Sequence, residues 1–264
     1  MKRPLVSIIT PSYNQVNYLR DTIESVLDQD YPKIEHIVID GGSSDGSVEM
    51  LRSYGKKIKW ISEKDKGQSN GINKGFKMAK GDIIGWINSD DTYEPRAVSK
   101  AVKYLDKNLD IDFVYSDCNI ILKDGRKNGT VHVQEFDMNK QLNNGNIIQQ
   151  PTVFFRRKVF EEVGYLDEKL HYAMDYEYWI RIGKKMKIKK IEGEILANFR
   201  MYPESKSISH YYLFWPEIYQ ISLRNGGKRF SRMWLFHYFR WMNKYFFGSP
   251  IYRIIRDMHL KLRS

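Results

Sequence analysis

The segment Asp82-Ile-Ile-Gly-Trp-Ile-Asn-Ser-Asp-Asp91 passes from an apolar run straight into two adjacent carboxylates. Ile83, Ile84, Trp86 and Ile87 suit a short strand covered on both faces, which reads as a near-continuous apolar run rather than as alternation. Two neighbouring carboxylates repel and resist burial, so a strand ending on Asp90 and Asp91 needs a cation or a wet rim. At the carboxyl end of a strand in an open α/β sheet, the natural occupant is a divalent metal carrying a phosphorylated ligand. A lone Asp-Asp pair more often just stops a strand in a solvated turn, so the flanking segments have to decide.

Toward the N-terminus, Leu5-Val-Ser-Ile-Ile-Thr10 predicts a strand and Pro11-Ser-Tyr-Asn14 a polar turn. Leu19, Ile23, Val26 and Leu27 then recur at helical spacing, with Asn17 as N-cap and Tyr31-Pro32 as the stop. Glu35 to Asp40 is a second strand, followed by the glycine-rich loop Gly41-Gly-Ser-Ser-Asp-Gly46 and a short helix carrying Val48 and Leu51. Ile58 to Ser62 is a third strand, and Gln68 to Lys80 a helix closed by Gly81. Beyond Asp91, Pro95 opens a helix with Ala97, Val98, Ala101, Val102 and Leu105 inward. Strand and helix alternating across short loops predict a mostly parallel, doubly wound α/β sheet with right-handed crossovers and helices on both faces. The polar ends of these strands then share one rim, as a nucleotide site in such a sheet requires.

After residue 110 the alternation stops. Asp112 to Leu122 and Lys127 to Val133 flank an Asp-Gly turn and predict an antiparallel hairpin. Gln149 to Phe155 is a strand, Val159 to Val163 a short helix closed by Gly164, and Ile195 to Met201 a last strand. Met174-Asp-Tyr-Glu-Tyr-Trp-Ile-Arg181 opens a helix whose first turn holds Asp175 and Glu177, where acidic side chains favour the helix dipole whatever else they do. From Ser207 to Ser264 the pattern is helical and aromatic, with breaks at Gly226-Gly227 and Gly248-Ser-Pro250. Arg229, Arg232, Arg240, Lys244, Arg253, Arg256, Lys261 and Arg263 are interleaved there. Such helices suit an anionic membrane surface, and equally a helical appendage with solvated charges.

With 264 residues, 42% hydrophobic and 14% aromatic, the chain can form one large domain, or one domain plus a helical extension. The single cysteine, Cys118, excludes an internal disulfide framework and a multi-cysteine zinc site and fits a reducing cytosol. No signal peptide is expected from the N-terminal pattern, and no stretch approaches the ~20 apolar residues of a membrane span. A net charge of +11 needs a partner or a purpose, and at this point it leaves nucleic acid, anionic lipid and phosphorylated small molecules open.

Together, Val6-Ser-Ile-Ile-Thr-Pro-Ser-Tyr-Asn14, Ile39-Asp-Gly-Gly-Ser-Ser-Asp-Gly46, Asp65-Lys-Gly-Gln-Ser-Asn-Gly-Ile-Asn-Lys-Gly75 and Gly81-Asp-Ile-Ile-Gly-Trp-Ile-Asn-Ser-Asp-Asp91 closely resemble glycosyltransferase family 2. The resemblance resumes at Gln149 to Arg157 and at Met174 to Arg181, and four ordered motifs at sensible spacing make it specific. It implies the GT-A fold and an inverting, metal-dependent enzyme that uses a nucleotide-sugar donor.

Carried over by position, Pro11, Ser12, Tyr13, Asn14 and Asp40 would hold the nucleobase, with Asp40 accepting the N3 proton of a pyrimidine, which favours UDP or dTDP. Asp65, Gln68 and Asn73 would complete the nucleotide-sugar site. Ser89-Asp90-Asp91 matches the family's metal motif with Ser89 in place of its first aspartate. Asp90 would then meet the ribose, and Asp91 would hold Mg²⁺ or Mn²⁺ against the departing diphosphate. Asp175 matches the catalytic base, Glu177 ranks second, and Gln149, Gln150 and Arg156 would line the acceptor side. The expected division is 1–110 for the donor, 111–205 for the acceptor and 206–264 as a basic, aromatic helical extension.

Two features depart from the family. Arg200 is followed by Met201-Tyr202-Pro203 where many relatives carry a histidine, leaving His210 as the nearest substitute. His237-Tyr-Phe-Arg-Trp241 lacks the glutamine of the processive synthases, which favours transfer of a single sugar. The acceptor would be a glycan or lipid-linked hydroxyl in surface-polysaccharide assembly, with the protein cytoplasmic or peripheral on the inner membrane face. Nucleic acid is not expected, because charge alone suggests it. A sugar-phosphate nucleotidyltransferase would need a glycine- and arginine-rich loop after the first strand, where this chain has Pro11 to Asn14. A non-catalytic protein of similar fold could dispense with Asp91 and Asp175, which are both present.

Overall fold

A computed structural model describes residues 3–247. The elements run β1 (Val6–Ser12), α1 (Val16–Leu27), β2 (Ile34–Asp40), α2 (Ser47–Ser53), β3 (Lys59–Ser62), α3 (Gln68–Met78), β4 (Ile83–Trp86), β5 (Thr92–Tyr93) and α4 (Ala97–Lys107). The second half continues with β6 (Phe113–Ile121), β7 (Lys127–Val131), α5 (Met138–Asn144), β8 (Phe154–Arg156), α6 (Lys158–Val163), α7 (Met174–Lys185) and β9 (Ile188–Arg200). Three helices follow, α8 (Lys206–Ser209), α9 (Tyr211–Arg224) and α10 (Arg232–Phe247). The predicted break at Gly248-Ser-Pro250 and the basic residues Arg253, Arg256, Lys261 and Arg263 lie outside the described residues.

One sheet in the order β3-β2-β1-β4-β8-β6-β9-β5 holds the molecule together, with β7 paired to β6. Strands β1 to β4 are parallel, as the alternating pattern requires. β8 runs antiparallel to both β4 and β6, so the second half is mixed. The apolar strands bury both faces. Ile9, Ile37, Ile39, Ile84 and Trp86 join α3, α6 and α7 in one core, whereas Val6, Ile8, Ile83 and Ile87 pack with α4 in another. Val38 meets α1 and α2 on that second side.

Three local expectations need correction. The α1 N-cap is Gln15, and Asn17 already lies within the helix. α3 ends at Met78 with Ala79 as its C-cap, while Gly81 lies beneath β1, where a Cβ would stand 2.5 Å from the Ser7 amide. The stretch from 188 joins β9, whose length apolar spacing alone does not reveal.

Gly75 lets α3 lie directly on the sheet, since a Cβ there would sit 2.5 Å from Ile9 Cγ2. Gly75→Ala should therefore destabilise the fold by about 1–2 kcal/mol in urea unfolding, because overpacking outweighs the gain in helix propensity.

Candidate active site

The carboxyl ends of β1, β2 and β4 open onto a cavity of about 880 Å³. Pro11, Ser12 and Tyr13 line it from β1, Gly41 and Gly42 from the turn after β2, and Lys64, Asp65, Gly67 and Gln68 from the loop into α3. Asn88, Ser89 and Asp90 form its floor after β4, and Asn146, Gln149, Gln150, Tyr172, Met174 and Asp175 form the far wall. Glu204, Ser205, Lys206, Ser207, His210 and Phe214 close the remaining side. The end of the sheet and the first helices beyond it thus build one site, and the expected division at residue 205 runs through it.

Asp40 is fully buried and does not reach this cavity. Its oxygens accept from the Gly42 and Ser43 amides at 3.1 and 2.9 Å and from the Ser43 and Ser62 hydroxyls, so it shapes its own turn. The carboxylate presented at this position is that of Asp65. A Cβ on Gly41 would stand 2.7 Å from Asp65 Oδ2 and one on Gly71 3.1 Å away, so two glycines make room for it. Its other oxygen accepts the Gly67 amide at 2.9 Å, which holds the loop in place.

A similar exchange separates the adjacent aspartates. Asp91, expected as the metal ligand, is fully buried, with Oδ1 accepting the Arg200 amide at 3.0 Å. Burial and the neighbouring Asp90 raise its pKa well above the ordinary carboxylate value. Asp90 lines the cavity, with Oδ2 accepting the Tyr202 hydroxyl at 2.8 Å and its own pKa raised by burial. Tyr202, two residues after Arg200, is thus the hydrogen-bond partner of Asp90.

Arg200, only 2% exposed, locks the turn from below. Its Nε donates to the Asp90 carbonyl at 2.8 Å and its Nη2 to Asp21 at 2.9 Å, while the guanidinium lies 5.1 Å from the Tyr18 ring.

Asp175 stands in the first turn of α7, its Oδ2 accepting from Asn146 Nδ2 at 2.8 Å. Burial pushes its pKa up to about 6, against the lowering effect of helix amides, Asn146 and Lys206. A carboxylate poised near neutrality in a cavity is suited to general-base work. Gln149 lines the cavity beside it, whereas the Gln150 side chain is engaged at both ends, accepting from Asn88 Nδ2 at 2.7 Å and donating to the Trp86 carbonyl at 2.7 Å. Gln68 donates to Asn88 at 3.2 Å and accepts from Lys206 at 3.0 Å.

Four other expected residues stand apart from the cavity lining. Asn14, in the left-handed region at φ 51°, holds the loop after β2 through Ser43 and Ser44. Asn73 ties the buried face of α3 to Leu166 and Glu168. Arg156 donates to the Leu105 and Ile111 carbonyls and so caps α4 rather than facing an acceptor. Glu177 is paired with Arg181 one turn on, facing away from Asp175 as the helical spacing requires.

The donor set suits a divalent ion that brings its own ligands. Among the described residues no group of three His, Cys, Asp or Glu side chains forms a metal cage. Asp90 offers one carboxylate, and Mg²⁺ or Mn²⁺ is commonly held by one or two carboxylates together with substrate phosphates and water. Ser12 Oγ, Trp86 Nε1 and Ser205 Oγ, all from lining residues, are buried without a hydrogen-bond partner among the described residues.

The model of the family described as "Glycosyl transferase family 2" matches residues 7–164. The chain belongs to glycosyl transferase family 2. An uncharacterized glycosyltransferase of Rickettsia typhi is 31% identical over 207 residues, covering 75% of this chain. The chain spans 64% of the length of that relative. Among solved structures, Staphylococcus aureus TarS residues 1–349 in complex with UDP-GlcNAc superposes with a TM-score of 0.68 at 18% identity, covering 94% of this chain and 76% of that TarS chain. The mannosyltransferase PcManGT from Pyrobaculum calidifontis, in complex with GDP-Man and Mn²⁺, gives 0.64 at 17% identity, covering 86% and 66%. Both likenesses bear out the GT-A type of fold.

The matched family region ends before α7 and the helices beyond it. Tyr172, Lys206 and Phe214 lie beyond it and Asn146 belongs to none of the quoted motifs, so these four were not legible as site residues from motifs, although the aromatic and basic pattern after Ser207 was a signal that something packs there.

Proposed function

We propose that this family member is an inverting glycosyltransferase that moves one sugar from a nucleotide diphosphate donor to an acceptor hydroxyl. The observation that carries the reading is one cavity presenting Asp90 at its floor and Asp175, with its raised pKa, on its far wall. Pro11, Ser12 and Tyr13 would flank the base, and the Asp65 carboxylate is apt to accept the N3 proton of uracil or thymine, so UDP and dTDP donors are favoured. Asp90 would hold Mg²⁺ or Mn²⁺, whose charge offsets that developing on the departing diphosphate. Asp175 would take the acceptor hydroxyl proton as the hydroxyl oxygen attacks the anomeric carbon from the face opposite the leaving group. One carboxylate on that face suffices for inversion. Tyr172, Met174 and Phe214 give the acceptor side an apolar and aromatic wall, suited to a sugar ring or a lipid-linked glycan.

The test is nucleotide release from a panel of UDP-, dTDP- and GDP-sugars with Mn²⁺, with the anomeric configuration of the product read by NMR. With Asp175 as the base, kcat/KM should rise through about pH 6 and level off above it, because only the ionised carboxylate accepts the proton. A retained anomeric configuration would contradict the reading.

Peripheral binding to an anionic membrane belongs to the same proposal. Among the described residues no helix is long and apolar enough to cross a membrane. Phe230, Leu235 and Phe239 are 69%, 44% and 55% exposed, next to Arg229 and Arg232. Sedimentation with phosphatidylserine vesicles should fall with salt and with the triple change of these apolar residues to serine. Undiminished sedimentation would remove the membrane from the account.

A further inference from the structure

The base helix α7 begins without a cap of its own. Ala173 occupies the N-cap position and makes no side-chain hydrogen bond to the helix. The amides at and before a helix start otherwise lack partners, and the conformation of that entry sets where first-turn side chains stand. Here the acceptor comes from a later helix, α9. Glu217 on α9 takes the His171 amide on Oε1 at 3.1 Å and the Tyr172 and Ala173 amides on Oε2 at 2.8 Å each. Three consecutive amides thus converge on one carboxylate, two residues before Asp175. Charge-assisted bonds of this kind are about twice as strong as neutral ones.

The opposite edge of the same loop is held as well. Lys206 donates to the His171 carbonyl, and Ser69 Oγ donates to the Leu170 carbonyl at 2.8 Å. α9 itself is anchored on α7, since Ile218 and Ile221 pack against a cluster that includes Ala173, Tyr176 and Ile180, and Ser222 Oγ donates to the Leu142 carbonyl at 2.7 Å. The position of Glu217 is therefore fixed by the core beneath it.

We infer that Glu217 is a positioning residue for the base, its carboxylate gathering the 171–173 amides so that α7 presents Asp175 to the cavity. The inference rests on the proposed role of Asp175. It makes α9 part of the transferase machinery, with a named contact as the link.

The experiment uses the full chain with Glu217→Gln, Glu217→Ala and, as reference, Asp175→Asn. Amide hydrogen exchange over 171–176, nucleotide release from the donor panel, and calorimetric binding of UDP, dTDP and GDP with Mn²⁺ are measured together. Glu217→Ala should speed exchange at 171–176 by about tenfold or more and leave exchange in β1 to β4 unchanged. It should lower kcat by about 10- to 100-fold, the effect of displacing a reacting group by about an ångström, with the nucleotide Kd within about twofold of wild type. Glu217→Gln keeps the shape and one acceptor oxygen, so it should fall between the two. That isosteric variant also serves should the alanine variant fold poorly.

Unchanged exchange at 171–176, or faster exchange with kcat intact, would overturn the inference. Parallel losses of kcat and nucleotide binding would also overturn it, by showing a general structural role. Should Asp175→Asn keep wild-type turnover, or should wild type release nothing from the panel, the proposed function fails. The exchange measurement then still decides whether Glu217 holds the loop.

Discussion

Asp175→Asn should lower sugar transfer by about 10³-fold, within the range expected for loss of a general base, and at the same time make the folded protein more stable at alkaline pH. The two effects share one cause. Asn can still accept the Asn146 hydrogen bond but cannot take a proton from an acceptor hydroxyl. In the wild type, burial raises the Asp175 pKa from 3.8 to about 6, so the native state binds this proton more tightly than the unfolded chain does. The stabilisation from that proton is fully present below about pH 4 and is lost as pH rises through about 6. At pH 8 the ionised side chain costs the fold on the order of 1–3 kcal/mol, which a neutral amide avoids. Urea unfolding should therefore show the variant ahead of wild type at pH 8, with the gap closing toward pH 4. A variant that loses activity and stability together at pH 8 would mean that Asp175 is structural.

Arg200→Ala should be among the most damaging single changes, at on the order of 3–4 kcal/mol. The side chain, 2% exposed, bonds the carbonyls of Asp90 and Lys123 and the carboxylate of Asp21, and lies over Tyr18. Truncation leaves those carbonyls without a donor beside two aspartates whose pKa values burial already raises. Arg200→Lys should recover little, because one ammonium cannot span three separate acceptors that the guanidinium reaches from Nε, Nη1 and Nη2. The denaturation midpoint measures the loss. A lysine variant as stable as wild type would show that charge alone matters there.

The parallel half of the sheet was readable because β1, β2 and β4 are buried almost throughout and the rim loops after β2, β3 and β4 carry glycine or aspartate. Ile83, Ile84 and Trp86 form the strand that their apolar run predicts, and with Ile87 they are buried in the core on its two faces. Which of two adjacent polar residues faces the cavity was not readable. Asp91 carries the same side chain as its neighbour Asp90, and Asp40 the same as Asp65 in the next rim loop, but in the folded turns Asp40 and Asp91 are buried and hydrogen-bonded while Asp65 and Asp90 line the site. Arg156 sat within a matched segment, yet its role depends on the end of α4, some 50 residues earlier in the chain. Glu217 carries no motif at all, and its use appears only when α9 docks on α7.

The most direct test of the donor site is calorimetric titration of UDP, dTDP and GDP into wild type and Asp90→Asn, each with and without Mn²⁺. One nucleotide should bind wild type in a metal-dependent manner, and the metal dependence should disappear in Asp90→Asn. Tight metal-independent binding, or an Asp90→Asn variant indistinguishable from wild type, would contradict the proposed donor site.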